Sequence, residues 1–316
     1  MIGRVRETVK GAFGLRAVWR SLLDLRNRAD SLQFSVGQLH AARLAGVKEP
    51  ARLRDVEFRV WSQWGEDGIL EFLLSRIPVP AARFVEFGVE DYREANTRFL
   101  LRHRNWSGLV MDGSARNVER IRADIIYHHH DLTAVCAFVT AANINSLLRE
   151  NGMEGDIGLL SIDVDGNDYW IWQAIDAVSP RVVVCEYNAV FGGRHAITVP
   201  YDPAFVRTRA HHSKLFFGAS LGALRSLAAE KGYVFVGCNS AGVNAFFVRA
   251  DCAAPFTGLA QSADFVPSRF RESVDRAGKP TFLSGPARAA AIGDCVVHDL
   301  RTGSDVRIRD LDPPPG

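Results

Sequence analysis

The chain has 316 residues, 47% of them hydrophobic, and a formal net charge of +2. This composition is typical of a soluble globular protein, and so small a charge gives no general attraction to nucleic acid, so we expect no such partner. No run approaches the roughly 20 apolar residues of a membrane span, and no secretory signal is evident. The five cysteines form no C-x-x-C pair, which favours reduced thiols and a cytoplasmic location.

Residues 1–57 predict a helical N-terminal extension. Apolar residues recur at intervals near three, four or seven, the spacing of an amphipathic helix, with Gly11, Gly14 and Gly37 as weak points. Basic residues outnumber acidic ones in this segment, so the helix could contact an anionic membrane surface or a partner helix. Packing against the protein's own core, or homo-oligomer formation, is the favoured interpretation.

Residues 58–250 alternate short apolar strands with helices. That order predicts an α/β domain with a doubly wound, mainly parallel sheet that helices cover on both faces. The last two strands, "YVFVGCNSAG" and "NAFFVRA", are joined by a short turn, which predicts an antiparallel hairpin at one edge. Residues 251–316 predict a loop-rich C-terminal appendage with one strand, "DCVVHDLRTG", and a disordered end, "DLDPPPG".

Acidic residues follow each of the first five predicted strands, the third of which lies in "YHHHDLTA". In an open α/β sheet, ligands bind outside the carboxyl ends of the strands. Repulsion among five acids at one edge would accumulate unless a ligand compensated it. A nucleoside uses such acids for ribose hydroxyls and a base amine, and a metal ion uses two or three. The residues at these strand ends are Glu86 and Gly88, Asp112 and Ser114, Asp131, Asp163 and Asp165, and Glu186 and Asn188.

The motifs "VEFGVEDYREANTRFLL", "WSGLVMDGS", "LLSIDVDGNDYWIW" and "VVVCEYN" occur in this order over about residues 60–250. Their order resembles class I S-adenosylmethionine-dependent methyltransferases, most of all the FkbM-like group, many of which O-methylate sugars or secondary metabolites. The resemblance implies a Rossmann-like methyltransferase fold, S-adenosylmethionine as cofactor, and a small-molecule or glycan acceptor. The chain departs from the family in its first loop, where Gly88 alone remains of the usual glycines. Asn96 and Thr97 could replace the missing contacts, or simply cap the next helix.

The resemblance also implies roles for individual residues. Asp163, Glu186 and Asn188 are a hard-oxygen set suited to magnesium, similar to the metal ligands of catechol-type O-methyltransferases, and Asp165 or His212 could then remove the acceptor proton. The alternative needs no metal: Asp163 contacts the cofactor and Asp165 is a solvated turn residue. The residues expected to bind the cofactor are Glu86, Gly88, Asn96, Thr97, Asp112, Ser114 and Asp131.

Two other functions remain open. The motif "LLSIDVDGND" also resembles that of haloacid-dehalogenase-type phosphatases, with Asp163 as nucleophile, Asp165 as general acid and magnesium neutralising both. Against it, Asn167 and Asp168 stand where that family has Thr and an aliphatic residue, and three strand units precede the motif. The second alternative is a non-catalytic scaffold with a methyltransferase fold, but a scaffold has no use for clustered buried charge.

Overall fold

The computed structural model describes the backbone of residues 2–311 and the side chains from residue 18 onward. Residues 312–316, at the end of the tail predicted to be disordered, lie outside this range. The described helices are α1 (Ile2–Leu44), α2 (Glu66–Ser75), α3 (Arg98–Arg104), α4 (Ala115–Ala123), α5 (Ile125–His129), α6 (Ile144–Glu150), α7 (Asp168–Ala174), α8 (Arg207–Ala210), α9 (Leu221–Glu230), α10 (Thr257–Ser262) and α11 (Pro286–Ala291). The described strands are β1 (Arg83–Phe87), β2 (Ser107–Asp112), β3 (Leu132–Cys136), β4 (Gly155–Ile162), β5 (Val178–Glu186), β6 (Ile197–Thr198), β7 (Tyr233–Cys238), β8 (Asn244–Arg249), β9 (Val296–Asp299) and β10 (Ser304–Arg307).

The main sheet has seven strands in the order β3-β2-β1-β4-β5-β8-β7. Strands β1 to β5 pair in parallel, and β8 runs antiparallel to both β5 and β7. The predicted doubly wound, mainly parallel sheet and its antiparallel edge hairpin are therefore confirmed. The strand order reverses between β1 and β4, and the carboxyl ends of these strands border a crevice at this topological switch point.

Two hydrophobic cores lie on the two faces of the main sheet. Along β5, Val182 and Val184 belong to one core, whereas Val183 and Cys185 belong to the other. This alternation follows from the two-residue period of a strand. Because both faces are buried, the strand reads in the sequence as a continuous apolar run rather than an alternating one.

The C-terminal part of α1 packs on the first of these cores. Ala41 and Leu44 are buried there, and Gly37 lies so close to Val60 that an added Cβ would be 2.4 Å from its Cγ2 atom. The predicted helical extension is confirmed, but Gly37 is a point of close packing and not a weak point. None of the described helices is both long enough and apolar enough to cross a membrane.

A second, three-stranded sheet has the order β10-β9-β6 and is antiparallel throughout. It corrects the prediction of a single C-terminal strand, because "DCVVHDLRTG" forms β9 and the turn that leads into β10. Since β6 precedes the last strands of the main sheet, the segment after residue 250 packs against an earlier part of the chain. A third core confirms the contact, with Phe191 and Val199 packing beside Ala289 and Val297. The predicted domain boundaries stay predictions.

Candidate active site

A cavity of about 750 Å³ opens at the carboxyl edge of the main sheet. The ends of β1, β2, β4 and β5 form one side, and loop residues such as Phe205, Phe270 and Phe282 form the other. The volume lies within the range of small-molecule sites, about 300–1,000 Å³. The cavity therefore lies where the strand order predicts a ligand.

Gly88 turns the chain away from β1 directly against the end of β4. Its φ angle is +70°, and an added Cβ would lie 1.8 Å from the carbonyl oxygen of Asp163, so no side chain fits at this position. The loop that follows turns without further glycines, because Glu90 and Tyr92 adopt left-handed φ angles of 47° and 61°. Non-glycine residues held in this region are strained, and such strain concentrates at functional sites.

Glu86 holds this loop in place through its carboxylate. The two oxygens accept hydrogen bonds from the backbone of Asn96 and Thr97 and from the hydroxyls of Thr97 and Ser161. Burial raises the pKa of Glu86, and these hydrogen bonds limit the rise. Glu86 and Asn96 line the cavity, but Thr97 is fully buried and its hydroxyl also contacts that of Tyr92. The predicted cofactor contact by Thr97 is corrected: this side chain orients Glu86.

Asp112 ends β2 at the cavity, where its side chain is 8% exposed. Its oxygens accept hydrogen bonds from the backbone of Glu90 at 2.9 Å, the backbone of Ser114 at 2.8 Å and the amide of Asn117 at 3.0 Å. A carboxylate offers about four acceptor positions, so one remains for a ligand. The Ser114 side chain instead caps α4 by accepting from the backbone of Asn117, which corrects its predicted cofactor contact.

Two predicted site residues lie away from the cavity. Asp131 precedes β3, and its carbonyl accepts from the backbone of Gly108 at the start of β2. It therefore lies at the amino edge of the sheet, and its prediction as a strand-end ligand is wrong. The histidines before it begin in α5 and are not part of the strand. His212 is exposed and is not among the described residues that line the cavity, so its predicted role as proton acceptor is corrected too.

Three carboxylates meet at the ends of β4 and β5. One oxygen each of Asp163, Asp165 and Glu186 lies within 4.8 Å of the others. Glu186 is 9% exposed, and its Oε2 atom has no hydrogen-bond partner among the described residues. Burial, followed by repulsion from Asp163 and Asp168, raises the pKa of Glu186 well above its ordinary value. Burial, followed by Asp168 and Asp165, does the same for Asp163. The negative charges of these three carboxylates are therefore not fully compensated by nearby positive charge.

The third predicted metal ligand, Asn188, lines the same cavity but has other partners. Its Oδ1 atom accepts from the backbone of Val190, and its amide nitrogen donates to the carbonyls of Leu215 and Phe217. The side chain thus folds the loop after β5, and Asp165 is the third acid beside Asp163 and Glu186. The role of Asn188 as a ligand stays a prediction.

Asp168 shapes the turn that carries Asp165. Its buried carboxylate accepts from the backbone of Val164 at 2.8 Å and of Gly166 at 2.9 Å. Burial raises the pKa of Asp168 to about 6, against the effect of these hydrogen bonds. Asp165 is held at a left-handed φ of 57° in the same turn. Of the three neighbouring aspartates in this motif, one is therefore structural and two reach the cavity.

Sequence reasoning missed the far wall of the cavity. Arg207 lies 3.6 Å from the centre of the Phe217 ring and bonds to Asp165 at 3.0 Å and to Glu272 at 2.7 Å. Its neighbours on this wall come from loops that carry no periodic signal, so the sequence offered nothing to select them. Arg207 is the described cation that touches the carboxylate group directly.

No protein-family model matches the chain, and no curated protein does. Similar solved structures include an O-methyltransferase from Bacillus cereus in complex with SAH (14% identity, 67% of this chain, 89% of that chain, TM-score 0.38). A putative O-methyltransferase from Klebsiella pneumoniae has 14% identity over 69% of this chain and 90% of that chain, with a TM-score of 0.39. TehB from Haemophilus influenzae has 10% identity and a TM-score of 0.33, and the match spans 53% of this chain but only 57% of TehB.

The class of fold follows from the strand order of this chain. A seven-stranded, mostly parallel sheet with helices on both faces and an antiparallel edge hairpin matches the Rossmann-like methyltransferase fold. What the site does is argued from its own residues.

Proposed function

We propose that the protein is an S-adenosylmethionine-dependent O-methyltransferase, similar to the FkbM-like group, that acts on a hydroxyl of a sugar or secondary metabolite. One observation carries the proposal. A single cavity joins the tight turn at Gly88 and the open acceptor position of Asp112 to Asp163 and to Glu186, whose Oε2 atom has no partner among the described residues. The residues proposed to bind the cofactor and those proposed to act on the acceptor therefore line the same cavity.

The residues present fit this cofactor. Gly88 lets the first loop turn directly against the end of β4 beside the cavity, and Asp112 can accept one further hydrogen bond from a ribose hydroxyl. When bound, S-adenosylmethionine supplies an electrophilic methyl group. Without a metal ion, Asp163 and Glu186 would orient the acceptor hydroxyl and take its proton, because a carboxylate with a raised pKa is a stronger base.

A divalent cation would compensate the same carboxylates. Asp163, Asp165 and Glu186 offer oxygen atoms within 4.8 Å of one another, and small side-chain movements would bring them to magnesium–oxygen distances of about 2.1 Å. Of these three carboxylates, Arg207 contacts only Asp165 directly. We therefore propose magnesium at these three residues. A bound ion of this kind lowers the pKa of an attached hydroxyl.

Replacing Asp112 with alanine tests the cofactor half of the proposal. Loss of a hydrogen bond to a charged acceptor should weaken S-adenosylhomocysteine binding by about 1.5–3 kcal/mol, measured by calorimetry. Ser114→Ala removes a neighbouring helix cap without touching the cavity, so its affinity should stay near that of the wild type. Unchanged affinity in Asp112→Ala would remove this residue from the site, and a wild-type protein that binds no S-adenosylhomocysteine would overturn the proposed function.

A further inference from the structure

Arg288 is a buried cation without a partner. Its side chain lies on α11 and is 8% exposed. Among the described residues it makes no hydrogen bond or ion pair, and its Nε atom is buried without a partner. The same residue lines the cavity. Breaking a buried ion pair costs about 3–5 kcal/mol, because one charge is left buried without a partner. Arg288 is such a buried charge without a partner among the described residues.

Glu272, the acid that interacts electrostatically with Arg288, already has another partner. Burial lowers the pKa of Arg288; Glu272 opposes this effect and Arg207 adds to it. Glu272, however, bonds to Arg207 at 2.7 Å. Arg207 thus bonds directly to two carboxylates, Asp165 and Glu272, whereas Arg288 bonds to none among the described residues.

Aromatic surface borders the same part of the cavity. The rings of Trp64 and Phe270 lie 4.2 Å apart between their centres, and Phe282 is 63% exposed; all three residues line the cavity. Ligand sites combine such apolar walls with a few polar groups that fix orientation. Arg288 is a buried cation that lines this cavity with its bonding capacity free.

We propose that Arg288 binds an oxyanion group, a phosphate or a carboxylate, carried by the acceptor. The planar guanidinium matches two oxygens of such a group and forms charge-assisted hydrogen bonds with them. The inference rests on the proposed function, since it places the acceptor in the cavity that also holds the cofactor. It narrows the acceptor from any hydroxyl compound to an acidic one.

Three probes test the oxyanion subsite by calorimetry on the full chain: glucose 6-phosphate, glucuronate and glucose. Wild-type protein should bind one or both acidic probes and should not bind glucose measurably. Arg288→Gln should weaken the acidic probe by about tenfold or more, as expected for lost charge-assisted bonds. Arg225→Gln, an exposed arginine on α9 outside the cavity, is the matched control and should bind like the wild type.

The two acidic probes distinguish a phosphate from a carboxylate. Equal binding of glucose and both acids, or equal losses in Arg288→Gln and Arg225→Gln, would overturn the subsite. Binding of neither acidic probe by the wild type would overturn it as well. S-adenosylhomocysteine affinity, measured in the same variants, should stay unchanged and shows that Arg288→Gln has folded. The subsite can therefore fail while the proposed function stands.

A separate observation concerns the outer face of α1. Seven apolar residues recur at alternating steps of four and three, and all are exposed; the large ones range from 51% exposed at Val36 to 72% at Leu39. An unbroken 3.5-residue period over three heptads is typical of a coiled-coil seam. We call these residues the seam: Val18, Leu22, Leu25, Ala29, Leu32, Val36 and Leu39.

The seam is not the face with which α1 packs on its own protein. That contact uses Phe34, Gly37, Ala41 and Leu44. The two faces coexist on the C-terminal half of the helix, so the seam stays open when the intramolecular contact is made. Seven neighbouring apolar side chains in water are a surface that a partner would stabilise.

The occupant that fits is the α1 helix of a second copy. Arg26 and Arg28 flank the seam on either side, and Arg28 pairs with Asp24 at 2.9 Å, so the apolar stripe is narrow in its middle, as in a two-helix seam. Exposed Trp19 and Leu23 widen it at its N-terminal end. A parallel pair sets Arg28 beside the partner's Gln33, without like charges. An antiparallel pair in register would set Arg28 against its own copy. Leucine at three of the four d positions, with Val36 at one a position, is consistent with a two-stranded coil.

We infer that two copies associate through a parallel coiled coil of their seams, about 32 Å long at 1.5 Å per residue. The full chain should sediment as a dimer in analytical ultracentrifugation. Leu25→Glu with Leu32→Glu should yield monomers, whereas the exposed off-seam pair Asn27→Glu with Ser31→Glu should not. S-adenosylhomocysteine binding should persist in all variants, which separates this proposal from the cofactor site.

A monomeric wild type would overturn the coiled coil. So would a dimer that survives the seam variant, because the contact would then lie elsewhere. Cosedimentation with vesicles of phosphatidylserine and phosphatidylcholine tests the alternative that the seam binds a membrane. A wild type that is monomeric and sediments with these vesicles, with the seam variant staying in solution, would assign the seam to a membrane surface instead.

Discussion

Gly88→Ala is expected to abolish S-adenosylhomocysteine binding and to lower the free energy of unfolding by about 2–4 kcal/mol. The added Cβ would lie 1.8 Å from the carbonyl oxygen of Asp163, so the ends of β1 and β4 would have to separate. The left-handed φ of +70° adds strain for any residue with a Cβ. Calorimetry and chemical denaturation measure the two effects.

The matched control is Gly113→Ala. Gly113 also lines the cavity, but its added Cβ would come no closer than 3.4 Å to Phe138, which is ordinary contact. This variant should fold and bind like the wild type. If Gly88→Ala retained wild-type affinity, the turn at Gly88 would not be the cofactor cradle.

Glu186→Gln is expected to remove divalent-cation binding and methyl transfer while raising the stability of the metal-free protein by about 1–3 kcal/mol. The gain follows because Glu186 is a buried carboxylate beside Asp163 with an unpaired oxygen, and leaving such a group unsatisfied costs about that much. An amide at this position can instead donate to Asp163. Manganese binding by electron paramagnetic resonance and thermal denaturation in EDTA measure the two effects.

The control is Glu119→Gln, which alters an exposed acid on α4 outside the cavity and should leave both readouts unchanged. Manganese binding that survives in Glu186→Gln would remove this residue as a ligand. Full turnover in EDTA with a confirmed acceptor would exclude the metal altogether and leave Asp163 and Glu186 as the bases. S-adenosylhomocysteine affinity should be nearly intact in this variant.

The main sheet was predictable because its signals are local. Each parallel strand is a short apolar run, and each of the first four is followed by a helix, so β1, β4 and β5 could be placed from the sequence alone. Asp131 was misplaced since the histidines before it belong to a helix and the strand starts one residue after it. A shift of a few residues moved this acid from one edge of the sheet to the other.

The side-chain partners were not predictable, because they depend on distant segments. Asn188 is a good oxygen ligand in isolation. In the fold, its Oδ1 atom accepts a hydrogen bond from Val190, and its Nδ2 atom donates to carbonyls 27 and 29 residues later. Thr97 turns inward because Glu86, 11 residues earlier, needs its hydroxyl. Arg288 reaches the cavity from a helix more than a hundred residues beyond Glu186, through loops without any period.

The small sheet has a consequence for synthesis on the ribosome. Strand β6 can pair with β9 only after roughly a hundred further residues have been synthesised. The five parallel strands, in contrast, are complete by Glu186. Long-range pairing of this kind is slow because a large loop must close first. The carboxyl edge of the five parallel strands can therefore assemble early in translation, and the wall that carries Arg288 closes only afterwards. The proposed oxyanion subsite would then be the last part of the cavity to form.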